Sequence, residues 1–443
     1  MAPDLPGVRR NPGVWIISPN RGQENLRYNK CPMSTAVLDA PETKALGRVD
    51  HFGSAAERER QREPESEQST LPLGPLKVVH AFWLAGMSCD GCSIAAVGAT
   101  SPSVEDLIAG TIPGVPRVVL HHCVLSVESG EEFIRNYEMA EKDEIGAPYV
   151  VIYEGSIADE RIAAATGGYF SAMGVEKKAD GTSRPIPSSE WLKRLAPGAA
   201  AVIAIGTCAT WGGIPAATGN PTGSMSVMDF LGKDYRSSYG LPVINVPGCS
   251  PVGDNFTETI ACTLLFLQGH GPLPEFDELG RPQWLFNETV HQHCVRAGYY
   301  EEGTFAERYG QKECLVEIGC WGPVVQCNIT SRGAINHMGG CMNTGGICIG
   351  CTMPGFPDRF SPFYKKPPGA NISSAGSKVL GTFMRPLRRI SQAYLNKETR
   401  WVREGHVPSG WGHVEKPGTI LKLIHKMYVK YQFLGSRKTW KEE

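Results

Sequence analysis

Short apolar segments alternate with helix-compatible segments through the central part of the chain. Residues 131–142 and 189–196, for example, have apolar positions at helical spacing. Between such segments, each apolar run has the length and composition of a strand buried in a parallel sheet. The five runs are 77–86, 117–125, 149–156, 200–207 and 241–248. Their alternation with helices predicts a doubly wound parallel α/β sheet.

This alternation stops after a last predicted helix at 254–268. The residues that follow are rich in glycine and cysteine, and the stretch 321–358 has no apolar run long enough for an ordinary helix or strand. Such a segment folds only if something other than a hydrophobic face holds it. It contains four cysteines, two of them at a Cys-x-x-Cys spacing. We interpret it as a segment held by an iron–sulfur cluster.

The two ends of the chain differ from this central part. The N-terminal residues are rich in Pro, Arg, Glu, Gln and Ser, which predicts a solvated, flexible arm. Near the C-terminus, 418–433 predicts a helix that packs on this chain or on a partner subunit, with a basic interfacial membrane helix as the alternative. The predicted units are 1–72 (arm), 73–269 (sheet domain), 270–370 (irregular domain) and 371–443 (C-terminal extension).

Length, charge and cysteine content argue against several classes of protein. The chain has 443 residues, enough for two domains with cores, and a net charge of -1 that gives no indication of nucleic-acid binding. Its 14 cysteines favour metal thiolates over disulfides in a protein of this size. No apolar run is long enough for a transmembrane helix, and Arg9-Arg10 is not followed by an apolar segment. We therefore expect a cytoplasmic protein, or one peripheral to the cytoplasmic face of the membrane.

Four cysteines follow three of the predicted strands. Cys89 and Cys92 come after the first run, Cys208 follows the fourth and Cys249 follows the fifth. In an open α/β sheet, ligands bind at the edge formed by the carboxyl ends of the strands, so we expect these cysteines to lie together. A zinc site would take the same four thiolates, and a set of small core cysteines is a further alternative.

A second group of possible ligands follows the sheet. His291-x-x-Cys294 brings an imidazole and a thiolate within reach of one metal centre, and Cys314 and Cys320 follow along the chain. His293 is equally near to Cys294. The spacing alone therefore does not decide between the two histidines.

Seven ordered motifs resemble the small subunit of nickel–iron hydrogenases and together span about Lys77 to Tyr364. They are AFWLAGMSCDGCS (81–93), YEGSI (153–157), GTCATWGGIPA (206–216), VPGCSP (246–251), VHQHC (290–294), CLVEIGCWGP (314–323) and GGICIGCTMPGFPDRFSPFY (345–364). The last motif and the lack of an apparent signal or anchor are most similar to the actinobacterial-type uptake hydrogenases, a group associated with high-affinity hydrogen oxidation. The resemblance implies a flavodoxin-like sheet followed by an irregular, cluster-binding domain.

The same resemblance implies the ligands of three iron–sulfur clusters. It assigns the proximal 4Fe-4S cluster to Cys89, Cys92, Cys208 and Cys249. It assigns the distal 4Fe-4S cluster to His291, Cys294, Cys314 and Cys320, which favours His291 over His293. The medial cluster would be held by Cys327, Cys348 and Cys351.

The medial motif departs from the usual pattern of the family, which has three cysteines and a 3Fe-4S cluster. Here Cys341 lies in the intervening loop. We predict that Cys341 closes a 4Fe-4S cluster, and the alternative is a free Cys341 beside a 3Fe-4S cluster. Ser93 is a second departure, because many relatives have glutamate there. Asp90, beside the proximal cysteines, is an alternative proximal ligand, since some actinobacterial-type members use aspartate in place of the second cysteine.

The resemblance implies an electron-transfer subunit without catalytic residues of its own. Electrons from hydrogen, oxidised at the nickel–iron centre of a large subunit, would pass through the three clusters to a quinone or a redox protein. We expect a higher oligomer of heterodimers, and we interpret Glu154, Thr210 and Trp211 as packing or cluster-neighbouring residues. Two other functions are open: a redox subunit of the complex I-related quinone-reductase type, which would lack the second cysteine-rich domain, and a zinc-stapled interaction protein.

Overall fold

The computed structural model describes residues 75–177, 181–367 and 369–395, with side chains up to residue 382. The predicted arm and the predicted helix at 418–433 lie outside the described residues. An α/β region extends to Leu267, and an irregular region follows it. Within the described ranges, no helix has the length and hydropathy needed to cross a membrane.

Five parallel strands form the main sheet, in the order β2-β1-β3-β6-β7. Each of these strands lies within one of the five predicted runs, which confirms the doubly wound sheet; the antiparallel pair β4-β5 was not predicted. This order matches the flavodoxin-like arrangement. The strands are β1 (Val78–Ala85), β2 (Arg117–His121), β3 (Tyr149–Glu154), β4 (Ala172–Lys177), β5 (Ser183–Pro187), β6 (Ala201–Ile205) and β7 (Ile244–Val246).

Helices cover both faces of this sheet. They are α1 (Gly91–Val97), α2 (Val104–Ala109), α3 (Gly130–Glu141), α4 (Glu160–Ala164), α5 (Ser188–Leu195), α6 (Gly206–Trp211), α7 (Val227–Leu231) and α8 (Gly253–Leu267). Side chains alternate along a strand, so Trp83 packs in the core under α8 and Phe82 packs in the core under α3 and α5. Phe82 and Trp191 of α5 are completely buried. The two apolar cores fix the positions of the loops at the carboxyl edge.

The irregular region consists of short helices and loops. Between Leu267 and the last described helix, the described residues contain no strand and no helix longer than five residues. These elements are α9 (Gln283–Phe286), α10 (Ala297–Glu301), α11 (Ile329–Arg332) and the 3₁₀ turns Val290–His293, Leu315–Ile318 and Asp358–Phe360; α12 (Ala370–Leu395) follows. The core of this region includes cysteine side chains themselves, among them Cys294, Cys320, Cys327 and Cys348.

Candidate metal centres

Three loops of the sheet bring the four predicted proximal ligands together. Because β1, β6 and β7 run parallel, the loops after them begin at the same edge. The cysteines are close enough to affect one another electrostatically: burial, together with the charges of neighbouring Cys249 and Cys89, raises the pKa of Cys208 to about 11. Cys89 and Cys249 are exposed, whereas Cys92 and Cys208 are half-buried. We call these four residues the proximal group.

Two glycines allow this close approach. Gly206 has a φ of +84°, and a side chain there would collide with the sulfur of Cys92. Gly213 has a φ of +57°, and its added Cβ would lie 2.7 Å from the Cys208 sulfur. Both positions therefore need glycine on two counts, a left-handed backbone and the absence of a side chain.

A buried carboxylate lies beside the proximal group. Glu154, at the end of β3, accepts hydrogen bonds from Trp83 Nε1 at 2.9 Å, from the Cys92 backbone N–H at 3.1 Å and from the Ser93 backbone N–H at 3.2 Å. The Ser93 hydroxyl also donates to it, and His122 Nε2 lies 2.9 Å from the same hydroxyl. These donors satisfy a buried negative charge. Ser93 thus completes the hydrogen bonding of Glu154.

A second group surrounds a small cavity in the irregular region. Its wall contains all four predicted distal ligands: His291, Cys294, Cys314 and Cys320. All four are buried. His293 does not belong to this group, because its Nε2 contacts the Glu288 carboxylate in a partly exposed ion pair. We call the four cavity residues the distal group.

Arg296 also lines the cavity of the distal group. Its backbone N–H donates to the Cys294 sulfur at 3.4 Å. The guanidinium is held by backbone carbonyls, at 2.6 Å from Gln311 and 2.9 Å from Glu313. No carboxylate of the described residues forms an ion pair with it. A positive charge therefore stands beside these buried sulfurs without a neutralising partner in the described part.

The third group joins Cys327, Cys341, Cys348 and Cys351. Burial and the charge of Cys341 together raise the pKa of Cys327 to about 12. Cys341 also raises the pKa of Cys348 and of Cys351, and it has the same effect on Cys320 of the distal group. The Cys341 side chain packs against the core that contains Cys327 and Cys348, and on that ground we count it with the medial group.

Arg281 lies next to the medial group and is completely buried. It forms an ion pair with Asp277 at 2.7 Å, hydrogen-bonds the Gln326 side chain beside Cys327, and lies 3.9 Å from Met353 Sδ. Its charge opposes the effect of burial on the pKa of Cys327. The sequence reasoning missed both Arg281 and Arg296. Arg296 could have been found from its position two residues after Cys294, whereas nothing local to Arg281 indicates its position.

The three groups fit iron–sulfur clusters by the chemistry of their donors. Thiolates, and one imidazole among thiolates, are ligands that such clusters accept. Burial raises the pKa of Cys294 to about 12, so iron would have to displace the proton of such a thiol. No group of His, Cys, Asp or Glu side chains in the described ranges is compact enough for a single metal ion. A cluster of several irons and sulfides needs the wider spacing.

Comparison with known proteins agrees with this arrangement. A family model for the C-terminal part of the "NiFe/NiFeSe hydrogenase small subunit" matches residues 286–364, and one described as "NADH ubiquinone oxidoreductase, 20 Kd subunit" matches residues 89–263. The periplasmic [NiFeSe] hydrogenase small subunit of Desulfomicrobium baculatum is 33% identical over 65% of this chain and 87% of its own length. The chain belongs to the nickel–iron hydrogenase small-subunit family. It is therefore a hydrogenase electron-transfer subunit, a class that carries iron–sulfur clusters and partners a nickel–iron large subunit.

Two further relatives place the chain within this family. The actinobacterial-type NiFe-hydrogenase of Ralstonia eutropha H16 is 49% identical, with a TM-score of 0.69 over 76% of this chain and 97% of that one. The hydrogenase-2 small chain of Escherichia coli K12 is 30% identical over 71% of this chain and 81% of its own length. The predicted resemblance to the hydrogenase small subunit, and to its actinobacterial type, is confirmed.

Proposed function

We propose that this chain transfers electrons from the large subunit through the proximal, medial and distal groups in that order. A bound iron–sulfur cluster supplies one-electron redox chemistry at each group. The observation that carries the order is the contact of the medial group with both others. The Thr207 hydroxyl, next to Cys208 of the proximal group, donates to the carbonyl of Cys351, and the Cys348 backbone N–H donates to the Cys320 sulfur at 3.3 Å.

The proximal group is proposed to face the large subunit. Two of its cysteines, Cys89 and Cys249, are the exposed members of the three groups, and exposed apolar side chains lie near the proximal cysteines in the chain. Ile94 and Val97 on α1 are 68% and 45% exposed, and Ile214, next to the loop of Cys208, is 57% exposed. Such a patch on a folded protein is typical of an interface, and it would exclude water from the point of electron entry.

The proposed ligands are the twelve residues of the three groups. His291 supplies one neutral ligand to the distal group, so a cluster there carries less negative charge than one held by four thiolates, which makes it easier to reduce. Cys341 packs against the same core as Cys327 and Cys348, which supports a four-iron medial cluster.

Metal analysis of the protein co-purified with its large subunit tests this assignment. We expect about twelve irons per small subunit, with nickel in the partner chain. Iron near four would favour the quinone-reductase type of subunit, and zinc in place of iron would favour the interaction protein.

A Cys341→Ser variant tests the fourth medial ligand. We expect the oxidised native protein to lack a strong three-iron EPR signal and the variant to gain one, because a serine that does not ligate leaves one corner open. Cys123→Ser is the control, since Cys123 is an exposed cysteine outside the three groups. A strong three-iron signal in the native protein that persists unchanged in Cys341→Ser contradicts the proposal.

The direction of electron flow, the acceptor and the location belong to the same proposal. The relationship to the actinobacterial-type hydrogenase supports hydrogen uptake with a quinone or a redox protein as acceptor, a cytoplasmic or peripheral location and an oligomer of heterodimers. Size measurement of the purified complex, cell fractionation and acceptor-dependent hydrogen oxidation test these points separately.

A further inference from the structure

Thr207 lies where the loops of the proximal and medial groups meet. It is buried, and its hydroxyl accepts a hydrogen bond from the Gly248 backbone N–H at 3.0 Å while donating to the carbonyl of Cys351. The Thr207 backbone N–H donates in turn to the Gly248 carbonyl at 3.0 Å. One hydroxyl can donate and accept at once, so both of these partners are satisfied.

Each of these contacts is next to a proposed ligand. Thr207 precedes Cys208 in the chain, Gly248 precedes Cys249, and Cys351 is itself a member of the medial group. A single side chain thus connects two proximal loops to a medial loop 144 positions away. Trp211, on the same helix, adds a second connection, because its Nε1 donates to the carbonyl of Thr352 at 3.2 Å.

Separation between redox centres controls the rate of electron transfer, which falls steeply as the distance grows. The proximal loops are attached to the sheet, whereas the medial loop belongs to the irregular region. Their relative position therefore depends on the contacts that cross between them. Among these contacts, the Thr207 hydroxyl joins three loops at one point.

We propose that Thr207 is a positioning residue that sets the spacing between the proximal and medial centres through its hydroxyl. The inference rests on the proposed function, since it needs clusters at both groups. The residue touches neither a substrate nor a reacting atom, and it acts only through the loops it connects.

Three variants isolate the hydroxyl. Thr207→Val keeps the branched shape and removes both hydroxyl hydrogen bonds, whereas Thr207→Ser retains them. Thr210→Val is the matched control: Thr210 is also buried on α6, but its hydroxyl bonds the Thr207 carbonyl at 3.3 Å within the helix. Trp211→Phe removes the hydrogen bond to the Thr352 carbonyl. It replaces Thr207→Val in the measurements if Thr207→Val does not accumulate as folded protein.

The first measurement is amide hydrogen exchange of the peptide that contains Gly248, in the assembled complex. Thr207→Val should exchange about 5- to 30-fold faster, the factor that accompanies the loss of a single stabilising contact. Thr207→Ser and Thr210→Val should exchange like the native protein. Native exchange in Thr207→Val would overturn the proposal.

The second measurement follows reduction of the medial centre by freeze-quench EPR after mixing with hydrogen. We expect Thr207→Val to slow this step about 5- to 30-fold while reduction of the proximal centre keeps its native rate. Thr207→Ser should restore the rate; Trp211→Phe should slow it less. A native rate in Thr207→Val, or equal slowing in Thr210→Val, would contradict the proposal. Low iron in the native protein would instead refute the proposed function.

Discussion

The two regions of this subunit hold their cysteines in opposite ways. In the sheet region, two apolar cores fold the chain and the proximal group occupies loops at their edge. In the irregular region, cysteines are part of the core, together with a few residues such as Trp321 and Phe360. We therefore expect the sheet to form without iron and the irregular region to need its metal in order to fold.

The two regions also differ in the charged side chains that lie beside their cysteine groups. The proximal group has the buried carboxylate of Glu154 next to Cys92, whereas the medial and distal groups have the guanidinium groups of Arg281 and Arg296. A negative charge disfavours an added electron and a positive charge favours it. The protein charges thus oppose reduction at the entry point and favour it further along. This difference suits electron flow away from the large subunit.

Removing the iron should produce the largest difference between the regions. Anaerobic chelation of the complex should abolish hydrogen-exchange protection in peptides from 290–360 while protection in β1, β3 and β6 persists. For structural zinc, the metal supplies on the order of 10 kcal/mol of folding free energy, and the cluster-bound region should depend on iron similarly. Equal loss of protection in both regions would show that the sheet also depends on the clusters.

A core truncation in the sheet should have the next largest effect. Trp191→Ala removes a completely buried side chain, and we expect the sheet to lose about 3–5 kcal/mol of stability. Denaturant unfolding followed by amide exchange of the sheet strands measures this loss. Val127→Ala, at a side chain that is 99% exposed, is the control and should leave stability unchanged.

Replacing Arg281 tests whether the positive charge beside the medial group raises its reduction potential. Arg281→Met should lower the medial reduction potential by roughly tens of millivolts, where 59 mV corresponds to a tenfold change for one electron. Arg281→Lys retains the charge and should stay closer to the native value. EPR-monitored redox titration gives the potentials of all three centres. A fall of equal size at the proximal centre would indicate a general structural change rather than a local charge effect.

A further predicted effect concerns acid stability of the sheet region. His121 on β2 is buried, its Nε2 lies 2.8 Å from His80 Nδ1, and burial with the His80 charge lowers its pKa to about 4. Between the unfolded value near 6.5 and this folded value, the unfolded chain binds a proton that the folded chain does not. Stability should therefore decline as the pH falls from about 6.5 to about 4.

His121→Phe tests this pH dependence. The variant lacks the buried titrating ring, so its midpoint of unfolding should vary less over that pH range than the midpoint of the native protein. An unchanged pH profile would show that the histidine pair does not control acid stability. His270→Phe is a comparison variant at a histidine outside this pair.

Sequence patterns predicted the sheet because strand and helix periodicities are local properties. The same locality explains why Cys89 and Cys249, each next to the end of a strand, could be expected at the carboxyl edge of the sheet. The sequence predicts Cys341 as a medial ligand but leaves a free cysteine as the alternative. Spacing could not decide between them, because the place of Cys341 relative to Cys327 depends on a loop without periodicity. Arg281 could not be predicted from spacing at all. Its contact with Gln326 crosses 45 positions of irregular chain.

The choice between two histidines as the distal ligand is a second case that sequence spacing could not decide. His291 and His293 are equivalent in spacing to Cys294, and only the resemblance separated them. The structure supplies a physical reason, since the turn at Val290–His293 directs His291 toward the cavity and His293 toward Glu288.

The four residues Cys348–Cys351 have a consequence for how this protein can evolve. The Cys348 N–H donates to the sulfur of Cys320 in the distal group, and the Cys351 carbonyl accepts a hydrogen bond from Thr207 beside the proximal group. We therefore expect a substitution in this tetrapeptide to disturb more than one redox centre. A change of potential at a single centre should be easier to obtain at residues outside this segment.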